Sequence, residues 1–170
     1  MTVDIFAARQ PIFDSGVRVV GYELLYRPGK ENRFEGGSPD VATAELLEHL
    51  LLGFGLQSLA RDRQVYVNVT RHMLLQQTYS LLPAERSVLE VLETVAPEPD
   101  VIAACARARS LGYRIALDDF TYRPEYEPLL AIADIVKVDF RQHDAAARAE
   151  LSRRLRSGRA VMLAEKVETH

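Results

Sequence analysis

Six short apolar segments of this sequence end in acidic, amide or ammonium side chains, although each otherwise has the composition of a buried β-strand. In a sheet that is covered on both faces such groups lose their hydration, and an unpaired charge there is costly. One such strand end could be accidental, whereas six in one chain constrain the fold. The segments are Gly21-Tyr22-Glu23-Leu24-Leu25, Tyr66-Val67-Asn68-Val69, Leu89-Glu90-Val91-Leu92-Glu93, Ala116-Leu117-Asp118-Asp119-Phe120, Val136-Lys137-Val138-Asp139-Phe140 and Leu163-Ala164-Glu165-Lys166-Val167-Glu168.

Strand candidates alternate with helical stretches, which favours a parallel sheet with helices packed outside it. Asp14-Ser15-Gly16 is a turn signal, so the first two strands should form an antiparallel hairpin. Proline and aspartate start signals and glycine stop signals predict the helices. The strand candidates are residues 5–13, 18–26, 65–69, 88–92, 114–119, 135–140 and 160–166, and the helix candidates are residues 41–60, 97–111 and 144–158.

A (β/α) barrel explains the polar strand ends, because the carboxyl ends of its parallel strands all meet at one rim, where active sites lie. The sequence therefore predicts an α/β fold that resembles a TIM barrel, with an antiparallel first strand pair and about seven strands. An oxygen-rich set without histidine or cysteine suits hard cations such as Mg²⁺, Mn²⁺ or Ca²⁺. The side chains expected to converge are Glu23, Asn68, Glu90, Asp118 and Glu165.

Strand alternation limits which polar side chains can point into the barrel. Glu90 and Glu93 are three residues apart, so a regular strand sends them to opposite faces, and Glu90 is the predicted inward residue. Asp118 and Asp119 are neighbours, so a kink or a strand end must serve both.

Two basic residues, Lys137 and Arg27, are further candidates for the site. Lys137 and Asp139 share a strand face, as a cation and its orienting partner would. Arg27 lies four residues after Glu23, and a salt bridge at the rim and a contact to an anion remain equal alternatives for it.

Charge and composition exclude several classes of protein. The net charge of −3 gives no basic surface for duplex DNA or an anionic membrane. No run approaches the roughly 18 apolar residues of a membrane span, so a cytoplasmic protein is expected. The single cysteine, Cys105, lies in an apolar run, where a small core residue is expected.

The motifs, in order, resemble those of the EAL-domain cyclic-di-GMP phosphodiesterases over nearly the whole chain, from about Phe6. The specific residues within these motifs resemble those of the subgroup of EAL domains that are fused to an HDOD domain. The matching motifs are Gln10-Pro11-Ile12, Gly21-Tyr22-Glu23-Leu24-Leu25-Tyr26-Arg27, Val67-Asn68-Val69, the pair Glu90 and Glu93, Asp118-Asp119-Phe120, Lys137-Val138-Asp139 and Glu165-Lys166-Val167-Glu168-Thr169.

The resemblance implies a role for each matching residue. The family opens cyclic di-GMP to the linear dinucleotide pGpG with Mg²⁺ or Mn²⁺, and Ca²⁺ is inhibitory. The implied catalytic residues are Lys137, which would help to position the attacking water, and Glu165, which would hold the metal partly through water. The implied metal ligands are Glu23, Asn68, Glu90, Asp118 and Asp119; the candidate substrate-binding residues are Gln10 and Arg27; and the supporting residues are Glu93, Asp139 and Glu168.

The sequence departs from the family pattern at several positions. Leu24 replaces the usual alanine of the signature and is expected to crowd the floor of the site. The residues after Phe120 form a bulkier and stiffer loop than the family's glycine-containing one, and Lys166 replaces the glycine of the last motif. The chain also ends at His170, where the family's last helix and closing strand are expected to follow.

These departures leave three functions open for residues 1–170, which we interpret as one EAL-like domain without its closing strand or an HDOD domain. The leading hypothesis is a divergent domain of cyclic-di-GMP signalling that binds metal or nucleotide with little hydrolysis. The alternatives are an active phosphodiesterase and a protein-interaction module without nucleotide binding. Another barrel of the enolase type is a weaker alternative. The expected partners are cyclic di-GMP and either a second copy of the chain in a homodimer or a regulatory protein.

Overall fold

The computed structural model of the 170-residue chain describes residues 6–27, 58, 60–156 and 158–167. Within these ranges seven strands form one sheet, in the order β1-β2-β3-β4-β5-β6-β7. β1 pairs with β2 in antiparallel fashion, and every later neighbour pair is parallel. The strands are β1 Phe6–Phe13, β2 Val19–Arg27, β3 Gln64–Val69, β4 Ser87–Val91, β5 Arg114–Leu117, β6 Ile135–Asp139 and β7 Val161–Glu165.

Helices connect the parallel strands and cover the outer face of the sheet. Thr70 caps the first of them by accepting a hydrogen bond from the Met73 amide, and Asp144 caps the last through Ala147. The predicted helix over 41–60 falls largely outside the described residues. The helices are α1 Arg71–Gln76, α2 Pro99–Ser110, α3 Glu127–Ile132 and α4 Ala145–Leu155, with short 3₁₀ turns at Thr78–Leu81, Ala84–Arg86 and Pro124–Tyr126.

Two apolar clusters lie on opposite sides of the sheet. The larger one fills the space between the sheet and the helices, and Cys105 of α2 is buried in it, as the sequence predicted. The smaller one lines the concave inner face and consists of Ile12, Tyr66, Val88, Ala116 and Ile135, with Leu163 packed against them. The inner cluster lies directly beneath the polar side chains of the strand ends and forms the floor of the site.

The sequence predicted the seven strands and the antiparallel first pair, and both are confirmed. The main difference is β5, which ends at Leu117 instead of Asp119. Asp119 has a φ of 40°, and this left-handed backbone ends the strand. Among the helices of the described residues, none is long and apolar enough to cross a membrane.

Candidate functional site

The polar strand ends form one layer directly above the inner apolar cluster. Side chains two residues apart on a strand point to the same face, so each polar residue stands beside a residue of the floor. The strands therefore bring the polar side chains to a single rim. The pairs, with the floor residue first, are Ile12 and Gln10, Gly21 and Glu23, Tyr66 and Asn68, Val88 and Glu90, Ala116 and Asp118, Ile135 and Lys137, and Leu163 and Glu165.

Lys137 lies at the centre of this layer, where its ammonium group contacts four carboxylates. Its Nζ is 2.7 Å from Asp118 Oδ1, 2.9 Å from Glu90 Oε1 and 3.1 Å from Glu165 Oε1. Glu23 Oε2 accepts a longer hydrogen bond of 3.4 Å from the same nitrogen. The Lys137 side chain is 2% exposed and that of Glu90 is fully buried. Four carboxylates thus compensate the loss of hydration of one buried ammonium.

Burial and neighbouring charges set the protonation of this cluster. Burial raises the pKa of Glu90 to about 8, although the Lys137 ammonium opposes that shift. Burial also raises the pKa of Glu165, again against the effect of Lys137. Burial alone would lower the pKa of Lys137, but the carboxylates of Glu90, Glu23 and Asp118 outweigh it, and the pKa is raised. Lys137 is therefore charged at neutral pH, while burial shifts the pKa of Glu90 in the direction of the protonated form.

The remaining oxygen atoms of the layer fit a divalent cation by their chemistry. Asn68 Oδ1, Glu90 Oε2 and Asp119 Oδ1 are buried atoms without a hydrogen-bond partner. Carboxylate and amide oxygens are ligands that hard cations prefer. As the side chains stand, the described residues contain no group of three or more His, Cys, Asp or Glu side chains that could hold a metal ion. The Lys137 ammonium lies among four of the carboxylates in this arrangement.

A second cation, Lys166, lies at the edge of the same layer. Its Nζ donates a hydrogen bond of 2.6 Å to Asp139 Oδ2 and lies 3.6 Å from Asp119 Oδ1. Asp139 also accepts hydrogen bonds from the Arg141 amide and from Gln142. The hydrogen bond from Lys166 is the main cause that lowers the pKa of Asp139 to about 2. Asp139 is therefore a fixed anion that is held by Lys166.

The loop after Phe120 is tied to the helices that follow it. The Tyr122 hydroxyl donates a hydrogen bond of 2.8 Å to Glu127 of α3, and the Arg154 guanidinium of α4 lies 4.1 Å from the centre of the Tyr122 ring. Thr121 Oγ1 lies 3.3 Å from His143 Nε2 in the loop after β6. These contacts hold the segment that carries Asp119.

Two cavities open at this end of the sheet. The cavity of about 500 Å³ is lined by residues of β1, β2, β6 and β7 and by residues that follow β5 and β7, among them Gln10, Glu23, Lys137, Glu165 and Lys166. The neighbouring cavity of about 410 Å³ lies over the ends of β4 and β5 and includes the exposed Glu93 and both aspartates of the Asp118-Asp119 pair. Both lie within the size range of small-molecule sites.

Two expectations from the sequence are corrected by these positions. Leu24 does not crowd the site floor, because alternation turns it to the opposite face of β2 from Glu23, where it is buried in the outer core. The carboxylate of Asp139 is bonded to Lys166 and is not placed as the orienting partner of Lys137.

Two predicted residues cannot be placed. The Arg27 side chain and Glu168 lie outside the described residues. One residue was missed by the sequence reasoning: Lys166 was noted only as a replaced glycine, and its ion pairs were not predicted. The sequence feature that predicts these ion pairs is the presence of two carboxylates, Asp119 and Asp139, at the ends of the neighbouring strands.

Comparison with known proteins identifies relatives of similar sequence. The chain is 34% identical to the uncharacterized protein YuxH of Bacillus subtilis, over 97% of the chain and 42% of that protein. It is 35% identical to the cyclic di-GMP phosphodiesterase CdgJ of Vibrio cholerae, over 96% of the chain and 39% of that protein. The chain thus spans about two fifths of the length of both relatives. No protein-family model matches it.

Solved structures of similar fold include a protein with an EAL domain. The Bacillus subtilis YkuI protein, with an EAL domain and in complex with substrate c-di-GMP and calcium, superposes with a TM-score of 0.69 at 20% identity, covering 98% of this chain and 50% of that one. The PaMucR phosphodiesterase in complex with c-di-GMP gives a TM-score of 0.73 at 20% identity, covering 98% of this chain and 86% of that one. These likenesses show that the fold is shared.

Proposed function

Since this chain is an EAL-type domain by its fold and by the order of its motifs, we propose that residues 1–170 act in cyclic-di-GMP signalling as a binding domain with little or no hydrolysis. The ligand would lie across the layer of polar strand ends, over the two cavities that contain Glu23, Asp118, Glu165 and Glu93. The proposal agrees with the names of CdgJ and of the EAL-domain structures.

The observation that carries the proposal is the set of buried oxygen atoms without partners above the apolar floor. Buried polar atoms are normally hydrogen-bonded, and exceptions indicate a ligand that completes them. Asn68, Glu90 and Asp119 supply these atoms, and we propose that they hold a divalent cation together with Glu23 and Asp118. Such a cation would neutralise the phosphodiester group of a bound dinucleotide. We propose Mg²⁺ or Mn²⁺ as the natural ion, with Ca²⁺ as a substitute.

The protein's own residues would position the dinucleotide. Lys137 supplies a fixed positive charge below the ligand, and Glu165 lies 3.1 Å from it. Gln10 is exposed on β1 and lines the larger cavity, so its amide can donate to the ligand. The apolar floor beneath these groups excludes water from the underside of the site.

Low hydrolysis follows from the arrangement of Lys137 in the proposed site. Its side chain is buried beside the carboxylates proposed to hold the cation, so its ammonium is poorly placed to orient an attacking water. The contacts of Tyr122 and Thr121 also restrain the segment of Asp119 from rearranging around a cation. We therefore expect binding to persist while turnover is lost.

Calorimetric titration of the protein with cyclic di-GMP in the presence of Ca²⁺ tests binding. We expect binding by the wild type and at least tenfold weaker binding by Asp118→Asn, since a ligand to the proposed cation is lost. Glu85→Gln is the control, because Glu85 is exposed and lies in the 3₁₀ turn Ala84–Arg86, at the opposite end of β4 from the site. Absence of binding by the wild type, or equal losses in both variants, would contradict the proposal.

A second candidate function is active hydrolysis, which the 35% identity to CdgJ favours. It is separated from the first by turnover with Mn²⁺, followed as formation of pGpG by chromatography. We expect no product above the rate of a Glu165→Gln control. A rate on the order of 1 s⁻¹ would favour the active enzyme instead.

A further inference from the structure

Lys166 occupies a backbone conformation that glycine adopts at no steric cost. Its φ of 51° lies in the left-handed region, which is unfavourable for a residue with a Cβ atom. The residue directly follows β7, so this turn sends its side chain back across the strand ends. Such a conformation of a non-glycine residue persists where the surrounding contacts hold it.

The Lys166 side chain contacts the two carboxylates at the ends of β5 and β6. Lys166 Nζ donates to Asp139 at 2.6 Å and lies 3.6 Å from Asp119 Oδ1. That Asp119 oxygen is buried and has no hydrogen-bond partner, so the nearby Lys166 ammonium is the positive charge that faces it. Lys166 itself is about half-exposed at the mouth of the larger cavity.

We infer that Lys166 is a tethered cation that competes with a divalent ion for Asp119, and thereby weakens metal binding on that side of the site. The inference rests on the proposed function, which places a divalent cation among the same oxygen atoms. A positive charge within about 4 Å of a ligand oxygen repels an incoming ion strongly at the edge of a protein. Because the hydrogen bond to Asp139 fixes the Lys166 ammonium, that ammonium stays next to Asp119 without a further cost in free energy.

The test is Mn²⁺ binding to the 170-residue protein without nucleotide, measured by electron paramagnetic resonance of the free ion. Lys166→Asn removes the charge and tolerates the left-handed backbone, and Lys166→Gly removes both charge and strain. We expect both variants to bind Mn²⁺ about tenfold or more tightly than the wild type. Lys166→Arg keeps the charge and should bind like the wild type. Adding Asp119→Asn to Lys166→Asn should abolish the gain.

Each outcome of this series has a defined meaning. Equal affinities of the wild type, Lys166→Asn and Lys166→Gly would overturn the inference, while cyclic-di-GMP binding with Ca²⁺, measured separately, would still decide the proposed function. A gain that survives Asp119→Asn would also overturn it, since the competition would then lie elsewhere. If no protein of the series binds Mn²⁺, both the inference and the proposed cation fail together. Melting curves of the variants establish that each one is folded.

Discussion

Glu90 is a fully buried acid whose protonation should couple the stability of the fold to pH. A glutamate has an ordinary pKa of 4.5, and burial raises that of Glu90 to about 8. Between these values the folded protein keeps a proton that the unfolded chain has released. The free energy of unfolding therefore falls as pH rises from about 4.5 to about 8, by up to about 1.4 kcal/mol per pH unit.

Glu90→Gln should remove this pH dependence, because an amide does not titrate. In chelator, the variant should match the wild type near pH 5 and become progressively more stable than it towards pH 8. Urea unfolding at a series of pH values measures the difference. Glu93→Gln, whose parent residue is exposed, should follow the wild type throughout. A constant offset between Glu90→Gln and the wild type would contradict the assignment of the buried proton.

Lys137→Met should destabilise the protein at pH 8 by about 3–5 kcal/mol, the usual cost of leaving buried charges unpaired. The loss should shrink at pH 5, where the carboxylates around position 137 can take up protons. Urea unfolding at both pH values measures it. Arg18→Met, which removes an exposed ion pair with Asp14, should change stability far less. Equal effects of the two substitutions would mean that Lys137 is not the central counter-charge.

Individual residues show which features of the site could be predicted from the sequence and which could not. Alternation alone placed Glu90 inside and Glu93 outside, because a strand has a fixed period of two. The same rule, applied to Leu24, would have prevented the wrong expectation that it crowds the site. The four contacts of Lys137 could not be predicted, since they depend on the distances between β6 and the ends of four other strands.

At the scale of elements, β2 and β3 must approach closely for the site floor to form. A Cβ atom on Gly21 would lie 2.6 Å from the Tyr66 ring and 2.9 Å from the Gln64 carbonyl oxygen. Gly21→Ala should therefore cost about 1–3 kcal/mol, since neither ring nor backbone can move without disturbing the floor. Thermal unfolding measures the loss. At Gly158 an added Cβ meets only the Leu155 oxygen, at 3.6 Å, so Gly158→Ala is the control and should change the melting temperature little.

The strands were predictable because each is a short apolar run between turn signals. The hairpin of β1 and β2 followed from the turn at Asp14, whose side chain indeed accepts hydrogen bonds from the Gly16 and Arg18 amides. The short helices α1 and α3 were missed, because six residues give too little periodicity to detect. The predicted end of β5 lies two residues too late, although the neighbouring Asp118 and Asp119 already indicated a kink or a strand end at this point.

At the scale of the whole molecule, the described strands form an open sheet in which β1 and β7 each have one neighbour. Free strand edges present unpaired amide and carbonyl groups and recruit other chains. The exposed apolar side chains near these edges, Phe13 on β1 and Val161 on β7, add to that tendency. We therefore expect the 170-residue chain to associate with itself through one of these edges.

Light scattering coupled to size-exclusion chromatography, over a wide range of concentrations, should detect a dimer or a larger species. Val161→Lys should reduce association, because a charged side chain on an edge strand opposes edge-to-edge pairing. Leu81→Lys is the matched control: Leu81 is similarly exposed but lies in the 3₁₀ turn Thr78–Leu81, outside β1 and β7. A wild type that stays monomeric at high concentration would contradict the prediction. So would a Leu81→Lys variant that dissociates as readily as Val161→Lys, since the contact would then be a general apolar one and not a strand edge.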